Sequence, residues 1–354
     1  MSTAPTVVAH RRLRALAVEV LVAAGAAEPD ARVVAAHLVD ANLAGHDSHG
    51  IGMLPQYVRA IARKLLDPRA HARLEDAGGP ILAVDGGRGF GQLVGREGIA
   101  AGIARAASLG LAAVALRNAF HVGRVGAYAE QAAAQGLVSI HFVNVVGHAP
   151  LVAPFRGSDR RLMTNPFCVG VPGRDGQAAV LLDFATSRVA LGKVREARAR
   201  GDEVPPGCVI DAKGRPATDP GALLDEPKGA LLPMGEHKGS GLALVCELLG
   251  GAVTGGGILS RVPYADGMIG NNMLSILLDP AKLPGGAGLA ADVDATVAWL
   301  KASAPADPSL PVLVAGDPER ASRAEREAKG IPVAAGVWED LVAEGRNVGV
   351  AVEV

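Results

Sequence analysis

The residues best suited to chemistry lie near the start of the chain, at positions 46–50, where the sequence reads HDSHG. Two imidazoles, a carboxylate and a hydroxyl occupy four consecutive positions there, and a glycine follows them. Histidine changes charge near neutral pH, so it is the usual proton donor or acceptor for a carbonyl or an alcohol. We therefore expect acid–base chemistry at this turn, with other polar segments bringing a cofactor and a second polar group to it.

A second polar cluster, RNAFHVGR at residues 117–124, follows a predicted strand and precedes a predicted helix. Open α/β sheets bind their ligands at that edge. His121 is therefore a candidate to orient a substrate or to exchange a proton. From position alone, a surface-loop histidine is the alternative.

Three further segments combine polar side chains with turns or helix starts. The TNP turn at 164–166, with Asn144 and His148 before it, suits either a rigid loop or hydrogen bonds to a carboxamide or ribose. Residues 183–187, DFATS, either cap a helix or bind phosphate at its N-terminus. Lys238 lies among glycines before an apolar helix and suits an anion, although P-loop spacing is absent. Together these segments indicate a nucleotide cofactor beside a histidine acid or base.

A glycine-rich turn, GGRGFG at residues 86–91, follows a predicted strand at 81–85 and precedes a predicted helix. A Rossmann phosphate loop would need GxGxxG register and an acid about 20 residues further on. The glycines fit that register loosely, and residues 106–111 contain no acid. We therefore interpret the segment as a tightly packed turn.

The composition argues against several classes of protein. The 354 residues are 49% hydrophobic and 20% charged, and the formal net charge is -1. This balance predicts no nucleic-acid partner and no anionic-membrane partner, and an aromatic content of 3% argues against base stacking. Cys168, Cys208 and Cys246 are scattered without disulfide or zinc spacing, which favours a reducing cytoplasm.

The region from Arg11 to Ala27 begins with basic residues and continues with small apolar ones, which is the pattern of a signal peptide. Glu19 interrupts the apolar run, and Leu13 and Leu16 begin a helical repeat. We therefore expect an amphipathic helix. No uncharged stretch reaches the roughly 18 residues of a membrane span, so no membrane crossing is expected.

Hydrophobic periodicity predicts a helical N-terminal segment followed by alternating strands and helices, which is typical of an α/β fold with crossover connections. The Pro-, Gly- and Asp-rich stretch 203–229 is expected to be an extended surface excursion. The predicted helices are 12–24, about 28–45, 54–64, 95–109, 124–135, 238–251, 292–303 and 318–329. The predicted strands are 81–85, 112–116, 138–143, 181–184, 274–278 and 312–315.

The motifs taken together carry a family resemblance. The chain contains, in order, HDSHGIG, LPQY, RNAFHVG, TNPF, DFATS, EHKGSGLAL and AGDPER. This series resembles the type 2 malate/L-lactate dehydrogenase family, and within it the hydroxycarboxylate dehydrogenase group, over nearly the whole chain. The resemblance implies the α/β fold of that family, which is sulfolactate dehydrogenase-like and not a Rossmann fold.

The resemblance also implies an activity, which is interconversion of 2-oxo and 2-hydroxy acids with NAD or NADP. Some members reduce cyclic imines, and members are typically homodimers. The family's proton donor corresponds to His49, with Ser48 beside it, and His121 is the other catalytic candidate; no metal is required. The cofactor-binding residues that the resemblance implies are Asp183, Phe184, Ala185, Thr186, Ser187, Lys238, Gly316, Asp317, Pro318 and Glu319.

The family resemblance also suggests that the chain has three parts. Residues 1–75 would form a helical segment that carries the SHG motif and packs with the C-terminal part. Residues 76–255 would form a cofactor-binding α/β domain, and residues 256–354 would return to the substrate and dimer domain.

Three positions depart from the family pattern. Met53 stands where most members have an arginine suited to clamp a substrate carboxylate, and Arg124 is the candidate replacement. Met163 replaces a glycine before TNP, and Val145 replaces a small hydroxyl residue. These changes argue against malate and lactate. The resemblance to the hydroxycarboxylate dehydrogenase group favours a bulkier 2-oxo acid, for example an aromatic one of the phenylpyruvate type. The substrate-binding candidates are Ser48, Arg124 and Asn165.

Two other functions fit parts of the sequence. His46, Asp47 and His49 would suit a metal-dependent hydrolase, although a further ligand is not evident. A non-catalytic binding protein would keep the cofactor fold, but the intact catalytic motifs argue against it.

Overall fold

The computed structural model describes residues 5–352 and has a mixed α/β architecture, which confirms the predicted fold class and its helical N-terminal segment. Short 3₁₀ turns occupy Asp47–His49, Ile51–Met53 and Pro280–Lys282, and a π-helical segment, Glu247–Val253, continues α8. The α-helices are α1 (His10–Ala23), α2 (Glu28–Leu43), α3 (Leu54–Ala62), α4 (Gly91–Leu109), α5 (Gly126–Ala133), α6 (Leu191–Arg200), α7 (Gly221–Leu224), α8 (His237–Cys246), α9 (Leu289–Lys301), α10 (Asp317–Lys329) and α11 (Ala335–Asn347).

Seven strands form the central sheet, in the order β2-β3-β4-β11-β5-β6-β7, while β8–β10 and the β1–β12 pair form two small sheets. The strands are β1 (Thr6–Val8), β2 (Arg73–Glu75), β3 (Ile81–Asp85), β4 (Leu111–Ala119), β5 (Val138–Val146), β6 (Phe167–Pro172), β7 (Ala178–Phe184), β8 (Val209–Ile210), β9 (Pro216–Ala217), β10 (Ala230–Leu231), β11 (Gly270–Leu278) and β12 (Ile331–Val333).

The central sheet is more antiparallel than the alternation of elements predicts. A crossover through α4 joins β3 and β4 as parallel neighbours. The next strand, β5, does not pair with β4, because β11 lies between them and runs antiparallel to both. β11 belongs to the part 256–354, yet it pairs with strands of the part 76–255. The division of the chain into three parts stays a prediction.

The prediction of a strand at 312–315 is wrong, because these residues form no strand. The N–H of Val314 donates to the carboxylate of Asp317 at 2.9 Å, so the chain turns into α10 instead of continuing a ladder. The segment still approaches the sheet, because the N–H of Leu181 in β7 donates to the Ala315 carbonyl at 3.1 Å.

The stretch 203–229 was expected to be an extended excursion, and that expectation is also wrong. It contributes β8 and β9 to a small sheet that β10 completes. Val204, Val209 and Leu223 are buried there against Val194 and Leu231. This burial stabilises the segment as a packed lobe that covers residues 162–163 and 189–191.

The two ends of the chain build one helical layer beside the sheet. Leu16 and Leu38 are buried between α1 and α2, and β1 pairs with β12 from the other end of the chain. Leu341 of α11 joins the same apolar core. Residues 46–50 lie between α2 and α3 in this layer. Within residues 5–352, no helix is both long and apolar enough to cross a membrane.

Candidate active site

The structure brings together the two histidines that the sequence marks as catalytic candidates. His49 lies in the 3₁₀ turn Asp47–His49, and His121 lies in the loop that follows β4. Their rings stack with centroids 5.2 Å apart, and Nδ1 of His49 is 3.1 Å from Nε2 of His121. Residues 72 positions apart therefore form one hydrogen-bonded imidazole pair.

The turn that carries His49 is held by side chains from α2 and α10. Arg326 binds both carboxylate oxygens of Asp47, at 2.6 and 2.9 Å, and Asn42 donates to the same carboxylate at 2.6 Å. Nε2 of His46 is 3.2 Å from a carboxylate oxygen of Glu319. His46 and Asp47 thus anchor the turn, which leaves Ser48 and His49 for chemistry.

The loop that carries His121 is held by the glycine-rich turn at 86–91. The N–H of Phe120 donates to the Gly89 carbonyl at 3.0 Å. A Cβ at Gly91 would lie 2.3 Å from the Phe120 carbonyl oxygen and 2.5 Å from that of His121. Any side chain at Gly91 would displace the loop that carries His121, so these glycines serve close packing, as expected for a tightly packed turn.

Tyr57 and Gln92 support His121 from behind. The hydroxyl of Tyr57, in α3, is 2.6 Å from Nδ1 of His121, and Nε2 of Gln92, in α4, donates to that hydroxyl at 2.5 Å. All three side chains are buried. Neither Tyr57 nor Gln92 stands out as a site residue in the sequence; the available signal was a phenol and an amide on the buried faces of two apolar helices.

Burial keeps the imidazoles of His49 and His121 neutral at pH 7. The pKa of His49 is lowered to about 4, mainly by burial; the Asp183 carboxylate opposes this shift, and His46 and Arg124 add to it. Burial also lowers the pKa of His121 well below its ordinary value, with added contributions from His49 and His37. Each neutral ring therefore has one N–H donor and one acceptor nitrogen for the pair.

Arg124 is a buried guanidinium with unused donors. Its side chain is 1% exposed, and Nη2 pairs with Glu130, while Nε and Nη1 have no hydrogen-bond partner. Burial lowers its pKa, but the carboxylates of Glu130 and Asp183 raise it by more, so the charge is retained. A buried cation with open N–H groups is expensive without a partner, which makes Arg124 suited to an anionic ligand.

The segments expected to hold the cofactor are linked through β7 and the residues that follow it. The Leu181–Ala315 hydrogen bond places Gly316 against Leu181 of β7. The N–H of Met234 donates to the Thr186 carbonyl at 2.9 Å, which connects the loop before Lys238 to the same strand end. Asp183 itself accepts the N–H of Gly126, at the start of α5, at 2.7 Å.

Several of the predicted binding side chains are engaged inside the protein. Thr186 donates to the carbonyls of Thr164 and Asn165, and Ser187 donates to that of Val189. The Asn165 amide donates to the Ala243 carbonyl and to buried Glu247, so it would have to release one of these bonds to reach a substrate.

The remaining candidates differ in accessibility. Ser48 and Lys238 are exposed, and Ala185 is partly buried. The Phe184 ring lies 5.9 Å from that of Phe167. Asp317 pairs with Lys301 and Arg320, and Pro318 occupies the first turn of α10.

The three residues that depart from the family pattern pack in apolar clusters. Val145 and Met163 are buried in the same cluster, which packs under the lobe formed by 203–229. Met53 packs against the N-terminal helical core.

Within residues 5–352, no group of three His, Cys, Asp or Glu side chains is arranged to hold a metal ion. In the trio considered for a hydrolase, His46, Asp47 and His49 contact Glu319, Arg326 and His121 respectively.

Comparison with known proteins shows to which family this chain belongs. The family model for malate/L-lactate dehydrogenase matches residues 8–342. The chain belongs to the malate/L-lactate dehydrogenase family. It is 46% identical to hydroxycarboxylate dehydrogenase B of Escherichia coli K12, over 93% of this chain and 91% of that protein. It is 38% identical to L-lactate dehydrogenase of Cupriavidus necator, over 96% of this chain and 97% of that one.

A solved structure supports the same assignment. A candidate malate/lactate dehydrogenase from E. coli superposes with a TM-score of 0.93 at 44% identity, covering 98% of this chain and 96% of that chain. The similarity confirms the family fold expected from the motifs. A general 2-hydroxyacid oxidoreductase activity follows from family membership.

Proposed function

We propose that the protein interconverts 2-oxo acids and 2-hydroxy acids with NAD or NADP, using His49 and His121 as its acid–base pair. The observation that carries the proposal is the hydrogen-bonded imidazole pair in a chain of this family. When bound, the nicotinamide cofactor supplies or accepts the hydride, and the protein positions the groups and moves the proton.

His49 is the residue proposed to exchange a proton with the oxygen on C2 of the substrate. Reduction consumes one proton with the hydride: His49 passes its ring N–H proton to the developing alkoxide, which is basic enough to take it, and the ring then regains a proton from solvent. Ser48 is exposed beside His49, and its hydroxyl is available to hold the same oxygen. General acid–base catalysis of this kind contributes roughly 10²- to 10⁴-fold in rate.

Arg124 is the proposed partner of the substrate carboxylate. Its Nε and Nη1 have no hydrogen-bond partner, so each has an N–H group available to donate to a carboxylate. Met53 offers no such donor, so Arg124 takes the place of the arginine that is absent there. Asn165 remains a substrate candidate only if its amide turns away from Glu247.

The residues present suit a dinucleotide. Lys238 lies in the first turn of α8, where its ammonium and the positive end of the helix dipole favour phosphate. Asp183 and Glu319 offer carboxylate oxygens for ribose hydroxyls, and one oxygen of Glu319 is buried without a hydrogen-bond partner. The Gly316 backbone, with a φ of 98°, allows close approach between these two segments. The residues of 183–187 and 316–319 are therefore the proposed cofactor loops.

The proposed substrate is a bulky or aromatic 2-oxo acid such as phenylpyruvate. The choice rests on the likeness to hydroxycarboxylate dehydrogenase B and on the absence of an arginine at Met53. Lactate, malate, ureidoglycolate and cyclic imines are the alternatives. A rate panel separates them: NADH and NADPH oxidation with each acid and with a cyclic imine. Fastest turnover of phenylpyruvate supports the proposal, and turnover of the imine alone would overturn the substrate class.

We also propose that the protein acts as a homodimer in the cytoplasm. Leu244, Val245 and Leu248 lie exposed along α8 and its π-helical extension, an apolar face suited to a second copy. Cys168, Cys208 and Cys246 are all unpaired and buried, which is compatible with a reducing compartment. Light scattering tests the dimer: Leu248→Glu should halve the measured mass, and a monomeric wild type would contradict it.

A further inference from the structure

A continuous line of buried hydrogen bonds leads from α4 to the catalytic turn. Gln92 Nε2 is 2.5 Å from the Tyr57 hydroxyl, which is 2.6 Å from His121 Nδ1, and His121 Nε2 is 3.1 Å from His49 Nδ1. Tyr57 is fully buried and Gln92 is 1% exposed. Because the Tyr57 hydroxyl is buried, its direction of donation is set by its protein partners.

The chemistry of the groups fixes the direction of this line. The amide nitrogen of Gln92 only donates, so the hydroxyl of Tyr57 accepts from it and directs its own hydrogen to His121 Nδ1. His121 is neutral, and a neutral ring that accepts at Nδ1 has its hydrogen on Nε2. That hydrogen is donated to His49 Nδ1. His49 then has its own hydrogen on Nε2, the nitrogen that faces away from the pair.

We propose that Tyr57 is a positioning residue that, together with Gln92, sets the tautomers of both histidines, so that His49 offers an Nε2–H donor to the substrate. The inference rests on the proposed function for the identity of that substrate. A carbonyl oxygen accepts such a hydrogen bond, whereas a hydroxyl group needs an acceptor for its own hydrogen. The resting site is therefore set to donate a hydrogen bond to the carbonyl oxygen of a 2-oxo acid.

Tautomer state is measured directly in protein containing ¹⁵N-labelled histidine. Long-range proton–nitrogen correlation spectra distinguish protonated from unprotonated ring nitrogens, and His49→Gln and His121→Gln variants assign the two rings. Wild type should show unprotonated Nδ1 and protonated Nε2 in both. Tyr57→Phe should convert His121 and His49 to tautomer mixtures, and Gln92→Leu should do the same while keeping the phenol in place.

Tyr128→Phe is the matched control. Tyr128 is also buried, and its hydroxyl donates to the Val122 carbonyl at 2.6 Å, next to the same loop, without contacting either catalytic histidine. This variant should lose stability but keep the tautomers. Protonated Nδ1 on either ring in wild type, or unchanged spectra in both Tyr57→Phe and Gln92→Leu, would overturn the proposal.

Kinetics supply the second readout. Tyr57→Phe should lower kcat for reduction of an accepted 2-oxo acid by about 10- to 100-fold, because a misdirected imidazole is a poor donor, while cofactor binding is unchanged. Equal losses in Tyr57→Phe and Tyr128→Phe would overturn the positioning role. If wild type reduces no 2-oxo acid and the tautomers are nevertheless as stated, the proposed function fails separately from the hydrogen-bond assignment.

Discussion

Arg326 in α10 holds Asp47 of the catalytic turn with both terminal nitrogens, at 2.6 and 2.9 Å, across 279 residues of sequence. The same guanidinium also donates to the Asn42 carbonyl at the end of α2. The C-terminal part of the chain therefore fixes the position of a turn near the N-terminus. Because His49 follows Asp47 by two residues, weakening the Arg326–Asp47 contact should also shift His49 relative to His121.

Replacement of Arg326 should lower both stability and activity. Arg326→Leu leaves Asp47 partly buried without its main partner, which should cost about 1–3 kcal/mol in the free energy of unfolding. A displaced His49 should reduce kcat/KM by about 10-fold or more. Urea unfolding and initial rates check both effects. Arg323→Leu, on the same helix but 3.6 Å from Asp40, is the control and should change little; equal effects in the two variants would contradict this assignment.

Arg124→Met should weaken substrate binding without unfolding the protein. Methionine fills a similar volume, and the Glu130 carboxylate that loses its partner is 38% exposed and can be solvated by water. Loss of a carboxylate partner should raise KM for the 2-oxo acid by about 30-fold or more, equivalent to about 2 kcal/mol or more. Initial rates measure this change. Arg117→Met is the control, since Arg117 pairs with Glu75 near the surface. An unchanged KM in Arg124→Met would remove Arg124 from the substrate site.

Lys238→Gln should affect the cofactor and not the substrate. Removing one phosphate-binding ammonium should raise the dissociation constant for NADH or NADPH by about 10-fold, or about 1.4 kcal/mol. Titration of reduced-cofactor fluorescence measures binding without turnover. Lys193→Gln is the control, because Lys193 is exposed and pairs with Glu196 in α6. Cofactor affinity that is equal in wild type and Lys238→Gln would contradict the proposed phosphate contact.

Buried imidazoles should make the protein sensitive to mild acid. Burial lowers the pKa of His37 and of His141 to about 3 and that of His49 to about 4, and it also lowers the pKa of His121. The unfolded chain takes up these protons near pH 6.5, before the folded state does, so stability present above that pH is lost as pH falls from 6.5 towards 4. Each group contributes at most about 1.4 kcal/mol per pH unit.

Urea midpoints at pH 7.5, 6.5, 5.5 and 4.5 check the acid sensitivity. His141→Gln should reduce the slope, because His141 is buried between Ser139 and Ser275 and lies outside the active site. Midpoints that stay constant from pH 7.5 to 4.5 would contradict the neutral, buried state of these histidines.

The local part of the architecture could be predicted from the sequence. Strand β3 lies at the positions that its apolar run indicates, and α2 begins at Glu28 with proline and acids in its first turn. The HDSHG turn and His121 were identified because their residue types are chemically unusual at a helix end and a strand end. Their direct contact agrees with a shared role.

The contacts that complete the site could not be predicted, because they depend on long-range pairing. No local pattern shows that β11 enters between β4 and β5, since antiparallel insertion is set by backbone hydrogen bonds across the sheet. Arg326 is one charged residue among many in α10, and its role depends on where that helix packs. Tyr57 and Gln92 look like ordinary helical residues until α3 and α4 are brought to His121.

The most direct test of the proposed function compares wild type with His49→Gln in NADH and NADPH oxidation with phenylpyruvate. Glutamine keeps a polar side chain of similar reach but cannot exchange a proton near neutral pH. We expect wild type to turn over, and His49→Gln to lose about 10²- to 10⁴-fold in kcat while still binding the reduced cofactor. A His49→Gln enzyme with wild-type kcat would contradict the assignment of His49 as the acid–base residue.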